Sequence, residues 1–350
     1  MRLFMFRHFL LCSSFIFLLC NTSAYANQKE GDQICAAAQE AYLKFKDINS
    51  GSNANYIKAL ESVDAKTFGM SVVTVDGRIC EFGDYDSPVS IQSVSKVFTL
   101  ALLMSGRGPN FVEKTIGVQP TGMPFNSILA LENQNGSPSN PYVNAGAIST
   151  VSWLTPQNEF DRWKVIKSNM DNYAGRKLNM NKDVLQSEMN DNKRNLGIAT
   201  LLDSYGKLGT TPIDAVTAYT KQCSINVTSH DLAVMGSVLA NYGTHPITHK
   251  EILNSDYVPK ILSSMVMSGV YDNSGSWFYE TGVPAKSGVG GGFIAIIPGK
   301  MSIGVVSPPL DQFGNSVRAQ RAVSYIVSEM NLNPYSNQEQ EACIEHSNSN

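Results

Sequence analysis

Ser93 and Lys96 stand three residues apart in the run Ser90-Ile91-Gln92-Ser93-Val94-Ser95-Lys96-Val97-Phe98. On a helix, positions i and i+3 share a face, so the amine can act as base to the hydroxyl without a histidine. A serine hydroxyl is a poor nucleophile at neutral pH, and a lysine is protonated there unless burial or nearby positive potential lowers its pKa. The N-terminus of a buried helix supplies both conditions, because its free N–H groups favour an alkoxide and disfavour an ammonium. The chemistry this permits is acyl transfer through an ester on Ser93. The spacing also recurs by chance on solvated helix faces, so the surrounding elements must carry the case.

Two more motifs follow in order, Tyr142-Val143-Asn144 and Lys286-Ser287-Gly288. Ser93 to Met104 is apolar almost all round, which predicts a buried central helix ended by Gly106 in a left-handed cap. The Asn-, Gly-, Ser- and Pro-rich stretch Glu132 to Pro141 predicts a surface loop leading into the second motif. Met70 to Val75 and Arg78 to Phe82 predict strands joined at Asp76-Gly77, a strong hairpin signal. Phe293 to Ile297 and Met301 to Val306 flank Pro298-Gly299-Lys300 and predict a second hairpin, just after the third motif. Residues 33–47 carry a helical pattern. Thr228 with Asp231 predicts a capping box that opens a helix with Leu232, Met235 and Leu239 on one face and Gly243 past its end.

Strands from both ends of the chain around a long helical middle predict an α+β fold, an antiparallel sheet flanked by helices with an inserted helical subdomain. The sheet subdomain takes about 33–92 and 255–335, and the helical one about 93–254, within one catalytic domain spanning 27–350. In that arrangement the N–H groups of Ser93 and of a residue in Gly288-Val289-Gly290 are candidate donors to a tetrahedral oxyanion.

Composition narrows the class further. Residues 1–26 carry Arg2 and Arg7, an apolar run from Phe9 to Cys20 and an Ala24-Tyr25-Ala26 end, the pattern of a cleaved secretory signal too short to span a bilayer. The expectation is export, to a periplasm or the exterior, with no membrane association after cleavage. Without that segment the chain has 25 basic and 30 acidic residues and no block of like charge, which argues against a nucleic-acid partner. Cys35, Cys80, Cys223 and Cys343 then remain. A Cys35–Cys343 bridge would tie the two ends together, but the four cysteines allow three full connectivities and the pairing stays open, with Cys223 read as a buried free thiol. His245 and His249 flank Pro246 and read as a loop rather than a metal pair. A Gly-x-Ser-x-Gly elbow is absent, and Gly290-Gly291-Gly292 lacks the ending of a phosphate loop.

The motif order resembles that of β-lactamases and penicillin-binding proteins, with Tyr-x-Asn for Ser-x-Asn and Lys-Ser-Gly for Lys-Thr-Gly. Longer strings are similar to one family, the serine-dependent glutaminases of β-lactamase/transpeptidase-like fold. They are Ile91 to Phe98, Asn140 to Ile148, Gln222 to Ile225, Pro284 to Gly292, Ser307 to Asp311 and Gly314 to Ser316, in a match from about Phe68 to Arg318. The resemblance implies hydrolysis of L-glutamine to L-glutamate and ammonia through a glutamyl-Ser93 ester, with no cofactor and no metal. It makes Lys96 the base, lets Tyr271 pass a proton to departing ammonia, and gives the Val289 N–H to the oxyanion. It places the substrate ammonium at Glu188 and its carboxylate at Asn144, Asn195 and Tyr219, with Tyr56 closing the pocket. It also carries a homo-oligomer, dimer or tetramer. Without it, Glu188 and Asn195 read as solvated side chains of one polar helix, and Tyr219 and Tyr271 as half-buried packing aromatics. A β-lactam-recognising serine acyltransferase or hydrolase is the alternative enzyme, and an exported glutamine-binding protein with a silent dyad the alternative outside enzymes.

Overall fold

The computed structural model describes residues 28–156 and 158–336. Its strands in chain order are β1 (Gly69–Thr74), β2 (Ile79–Gly83), β3 (Val89–Ser90), β4 (Asn179–Met180), β5 (Ile225–Val227), β6 (Ala285–Ser287), β7 (Gly292–Ile297) and β8 (Met301–Val306). Both expected hairpins form, β1–β2 and β7–β8, with ends within one residue of the sequence reading. One antiparallel sheet runs β2-β1-β8-β7-β6, and a small second sheet runs β3-β5-β4. The two halves of the chain meet where β1 pairs with β8 along its whole length, Val72 opposite Ile303.

Alternation along the strands sends Met70, Val72, Phe293, Ala295, Ile303 and Val305 to one face of the large sheet, and Val73, Ile294, Ile296 and Val306 to the other. An N-terminal helix, 28–45, covers the first face through Ile34, Ala38 and Ala41. The C-terminal helix Val317–Glu329 joins it through Ala319, Ala322, Val323 and Ile326. Spacings of three and four place each of these sets on one helical stripe. The second face is covered by the helix Ser229–Ala240, which opens with the expected capping box of Thr228 and Asp231. Chain order puts this helix in the helical middle, yet it packs on β1, β7 and β8. Every one of its residues except His230 is buried, so it needs apolar neighbours all round and sits between the sheet and the other helices.

The central helix differs from expectation at its end. It starts with a tight turn, Gln92–Val94, continues as Ser95–Arg107, and passes through Gly106 without breaking. The stop is Gly108, with φ 79°, whose N–H donates to Met104 O. Pro109 follows directly and bars continuation, since its ring occupies the place of an amide hydrogen.

The fold also decides the cysteine pairing. Cys35 is bonded to Cys80, with 5.5 Å between Cα atoms, which excludes a Cys35–Cys343 bridge; Cys343 itself lies outside the described residues. The apolar face of the N-terminal helix is laid across the sheet beside β2, and that docking brings the two thiols together. Cys223 is buried and free, as read from its apolar surroundings. The expected signal segment, 1–26, also falls outside the described residues. Among those described, no helix is long and apolar enough to cross a membrane.

The bridge closes a loop with a sequence separation of 45, for which a native disulfide contributes about 2–4 kcal/mol. A Cys35→Ser/Cys80→Ser double variant is expected to lose that amount, read as a lower urea midpoint, and reductant should bring the parent protein to the same midpoint.

Candidate active site

Strand pairing delivers Ser93 to its place. β3 pairs with β5, and the Ile91 N–H donates to Ile225 O at 2.7 Å. Gln92 then turns with φ 48°, a left-handed conformation unusual for a residue with a side chain. Ser93 follows at 5 % exposure and Lys96, one turn on, at 1 %.

Lys96 Nζ donates to Tyr142 O and to Asn144 Oδ1, both at 2.9 Å. Among the described residues no hydrogen bond joins it to Ser93, which instead lies close enough to the Tyr271 hydroxyl to favour that phenol's ionised form against its burial. The direct contact implied by the i, i+3 spacing is therefore not made in this state, because two oxygens from the second motif hold the amine. The Tyr271 hydroxyl in turn donates to Ser287 O at 3.1 Å, linking the first motif to the third.

The segment before Asn144 is the expected surface stretch only in its first part, where residues 132–135 are exposed. Ser139 and Asn140 are buried. Asn140 Oδ1 accepts from the N–H groups of Tyr142 (3.0 Å) and Val143 (3.1 Å), while its Nδ2 donates to Gln119 O. This side-chain turn, a habit of asparagine, aims the Tyr142 carbonyl at Lys96 and starts the helix Asn144–Ser152.

Above the dyad lies a cleft of about 640 Å³ lined by Tyr56, Ser93, Asn144, Glu188, Asn195, Tyr219 and Val289, among others. All nine residues expected at the site thus converge, seven on the cleft wall and two, Lys96 and Tyr271, in direct contact with that wall. Glu188 and Asn195 do not share one exposed helix. They sit on Lys182–Asn190 and Lys193–Ser204, and the break at Asp191-Asn192 turns both half-buried side chains toward the cleft. Tyr219 and Tyr271 are more deeply buried than packing aromatics read from sequence, at 4 % and 7 %. Tyr219 donates to Asn144 Oδ1 at 3.1 Å, and Asn144 Nδ2 donates to Asn195 Oδ1 at 3.1 Å. Tyr56 stands at the rim, more than half exposed.

The glycines of the third motif bring the opposite wall close. A Cβ on Gly290 would fall 2.5 Å from Ser90 O, so only glycine lets the loop lie against the strand before Ser93. Between Gly288 and Gly290, the Val289 N–H has no backbone acceptor among the described residues, and Val289 lines the same cleft as Ser93. A free N–H beside a serine hydroxyl is the arrangement an oxyanion site requires.

Burial sets the charges. Desolvation lowers the Lys96 pKa to about 8, with the nearby Glu188 carboxylate acting the other way. Desolvation raises the Glu188 pKa to about 7, opposed by the Gln92 hydrogen bond and by Lys96. A lysine amine so lowered is neutral far more often at pH 7 than an ordinary one.

The glutaminase family model matches residues 51–335. The chain is 49 % identical to a glutaminase of Colwellia psychrerythraea, over 84 % of its own length and 94 % of that protein. It belongs to the glutaminase family. Glutaminase 1 of Escherichia coli is 42 % identical over 87 % of this chain and 99 % of its own. Among solved structures, a probable glutaminase superposes with a TM-score of 0.86 at 42 % identity, covering 87 % of this chain and 99 % of that one. Mglu in its glutamate form superposes with a TM-score of 0.80 at 37 % identity, covering 84 % and 68 %. The glutaminase fold is the β-lactamase-like α+β arrangement read from the sequence.

Residue-by-residue reading missed Gln92 and the Tyr142 carbonyl. Gln92 Nε2 donates to Glu188 Oε1 at 2.8 Å and to Ser90 Oγ at 3.2 Å. Its position beside the serine was the one available signal, since its partner lies 96 residues away in the chain. A main-chain carbonyl leaves no mark in residue type at all. Gln92→Met removes the single side-chain donor to Glu188 among the described residues, and losing a donor to the charged form raises a carboxyl pKa. The Glu188 carboxyl is then expected to titrate above about 7, measured as a difference between ¹³C-carboxyl titrations of Gln92→Met and Gln92→Met/Glu188→Gln.

Proposed function

We propose that this protein hydrolyses the side-chain amide of L-glutamine to L-glutamate and ammonia through a glutamyl ester on Ser93. The observation that carries the reading is the pairing, across one cleft, of a buried serine beside a pKa-lowered lysine with a half-buried carboxylate, Glu188. A free amino acid needs one anion for its ammonium and neutral donors for its carboxylate. Glu188 meets the first need, and Asn144, Asn195 and Tyr219 meet the second. Tyr56 at the rim closes over the bound head group.

Neutral Lys96 takes the Ser93 proton as Oγ bonds to the amide carbon, and the carbonyl oxygen becomes an oxyanion facing the Ser93 and Val289 N–H groups. The oxyanion then reforms the carbonyl, and the C–N bond breaks with its electron pair on nitrogen. The nitrogen takes the Tyr271 hydroxyl proton and leaves as ammonia. The Lys96 ammonium returns a proton to Tyr271, and the neutral amine next activates water against the ester, releasing glutamate and restoring Ser93. No step calls on a metal or organic cofactor.

An amide panel assayed for ammonia, with labelling by a fluorescent penicillin beside it, tests the substrate. Release from glutamine without labelling supports the proposal; labelling without release would assign the site to β-lactam recognition, and tight glutamine binding without turnover to a transport role. Ser93→Ala is expected to abolish ammonia release while leaving glutamine binding measurable by calorimetry.

The pH dependence has a defined sign. Below about 8 Lys96 gains a proton and cannot act as base, and below about 7 Glu188 gains a proton and no longer holds the substrate ammonium. The value of kcat/KM is expected to climb from about pH 6 to about pH 9. Glu188→Gln should remove the lower of the two titrations and raise KM.

The Cys35–Cys80 disulfide supports export, because such bonds persist in oxidising compartments. With the apolar, Ala-x-Ala-ended segment 1–26, it makes a periplasmic or secreted enzyme the favoured placement, as the homo-oligomer, dimer or tetramer, that the family resemblance carries.

A further inference from the structure

The proposed hydrolysis runs through an ester, so ammonia must leave and water must arrive while the glutamyl group still occupies the cleft. The head group lies toward Glu188 and Asn195, with Tyr56 closing the rim above it. The departing nitrogen is at the other end, beside Ser93 and Tyr271, with the acyl group between it and the rim. Small molecules that exchange at that end need a way past the acyl group or a second opening.

A second space lies at the Tyr271 end. A cavity of about 110 Å³ is lined by Thr121, Phe125, Tyr142, Ser268, Tyr271 and Asp272, among others. Phe125 also lines the large cleft, so one side chain is a wall common to both spaces. Its ring stands 4.7 Å from that of Tyr271, centroid to centroid. A water takes up about 30 Å³ in the liquid, so the cavity suits ammonia or water rather than a glutamyl group. The Ser268 hydroxyl is buried and has no hydrogen-bond partner among the described residues, which leaves it able to bond a small polar guest. Tyr271 is buried and Asp272, the next residue, is exposed, so the lining runs from the reaction centre to solvent.

Charge changes along the same line. Lys286 Nζ lies 4.3 Å from the centroid of the Tyr271 ring, and the buried Lys96 belongs to the dyad. Two amines at that end disfavour a further cation, so the nitrogen departs as neutral ammonia. At the solvent end the preference reverses. None of the ion pairs among the described residues includes the Asp272 carboxylate, which leaves it open to a small cation.

We infer that the cavity between Phe125, Tyr271 and Asp272 is the passage by which ammonia leaves and water enters the glutamyl-enzyme, and that Asp272 forms an ammonium site at its mouth. This rests on the proposed hydrolysis and gives its two small reactants a route. Rotation of the Phe125 ring is the movement that joins the cavity to the cleft. No covalent bond changes within the passage: the C–N bond is already broken, and ammonia gains one proton from solvent at Asp272.

The test blocks the passage and, separately, removes the charge at its mouth. Ser268→Leu fills the cavity at a side chain with no hydrogen bond to lose, and Ser268→Ala leaves it open. With glutamine, Ser268→Leu is expected to lose about 10-fold in kcat, because passage of the small molecules becomes limiting, while Ser268→Ala stays within about 2-fold of the parent. Glutamine affinity measured by calorimetry in the Ser93→Ala background should be the same with and without Ser268→Leu, which a displaced active site would not allow. The second arm adds ¹⁵N-ammonium chloride to unlabelled glutamine, so that labelled ammonia competes with water for the glutamyl-enzyme and emerges as ¹⁵N-glutamine. Asp272→Asn is expected to lower ¹⁵N-glutamine formed per glutamate about 5-fold at low ammonium, the size of one exposed ionic contact, with KM for glutamine unchanged. Parent kcat in Ser268→Leu, an unchanged ¹⁵N ratio in Asp272→Asn, or no ¹⁵N-glutamine from the parent at any ammonium concentration would overturn the inference. Urea midpoints identify a Ser268→Leu chain that is simply unfolded, and the Asp272→Asn ratio then decides. Failure of the parent to release ammonia from glutamine would strike the proposed function itself and is read before any variant is made.

Discussion

A lysine amine held in a dry interior by two uncharged oxygens is the constraint on which the rest of the site depends. Lys96 at 1 % exposure has Tyr142 O and Asn144 Oδ1 as its hydrogen-bond acceptors. With a carboxylate in that place the ammonium would be stabilised and the amine useless as a base at neutral pH. With no acceptors the side chain would be driven toward solvent. Neutral acceptors at 2.9 Å give an intermediate result, an amine that is oriented but readily deprotonated. Much of the surrounding architecture serves this: the buried Asn140 turn, the helix beginning at Asn144, and the Tyr219 hydroxyl that shares the Asn144 oxygen.

The same oxygen-to-hydroxyl chain joins the dyad to the cleft wall. Asn144 touches Lys96 with its carbonyl and Asn195 with its amide, so one side chain of the cleft wall also holds the buried lysine. Glu188 is joined through Gln92 to the residue next to the nucleophile. Its pKa, raised to about 7 by burial, leaves it responsive to an arriving ammonium, which would favour the ionised form. The cleft wall and the dyad are therefore joined by short contacts.

The sheet supplies the rigidity. β6 carries Lys286 and Ser287 at its edge, and β6 is held by β7, which pairs with β8, which pairs with β1. A loop that must bring one backbone N–H to within bonding distance of a reacting oxygen tolerates little play. Its glycines remove side chains where the loop meets Ser90, and the strand ladder behind it absorbs the crowding. Helices on both faces bury the sheet's two apolar sides, and the disulfide secures one of those helices at its outer edge.

The sequence by itself determined the pieces that depend on local pattern. Alternating apolar residues around Asp76-Gly77 and Pro298-Gly299 set the hairpins, Thr228 with Asp231 set a helix start, and the motif order with its flanking strings identified the family and the chemistry. These signals lie within a few residues of one another, where backbone preference and periodicity act. Tertiary structure decided what depends on residues far apart in the chain. It paired Cys35 with Cys80, packed Ser229–Ala240 on the sheet, moved the end of the central helix to Gly108 beside Pro109, and turned Glu188 and Asn195 inward from separate helices. It also gave Lys96 to Tyr142 O and Asn144 rather than to Ser93, and set Lys286 under the ring of Tyr271. Those outcomes follow from burial, since only the closed fold establishes which charges lose water and which carbonyls stand near enough to replace it.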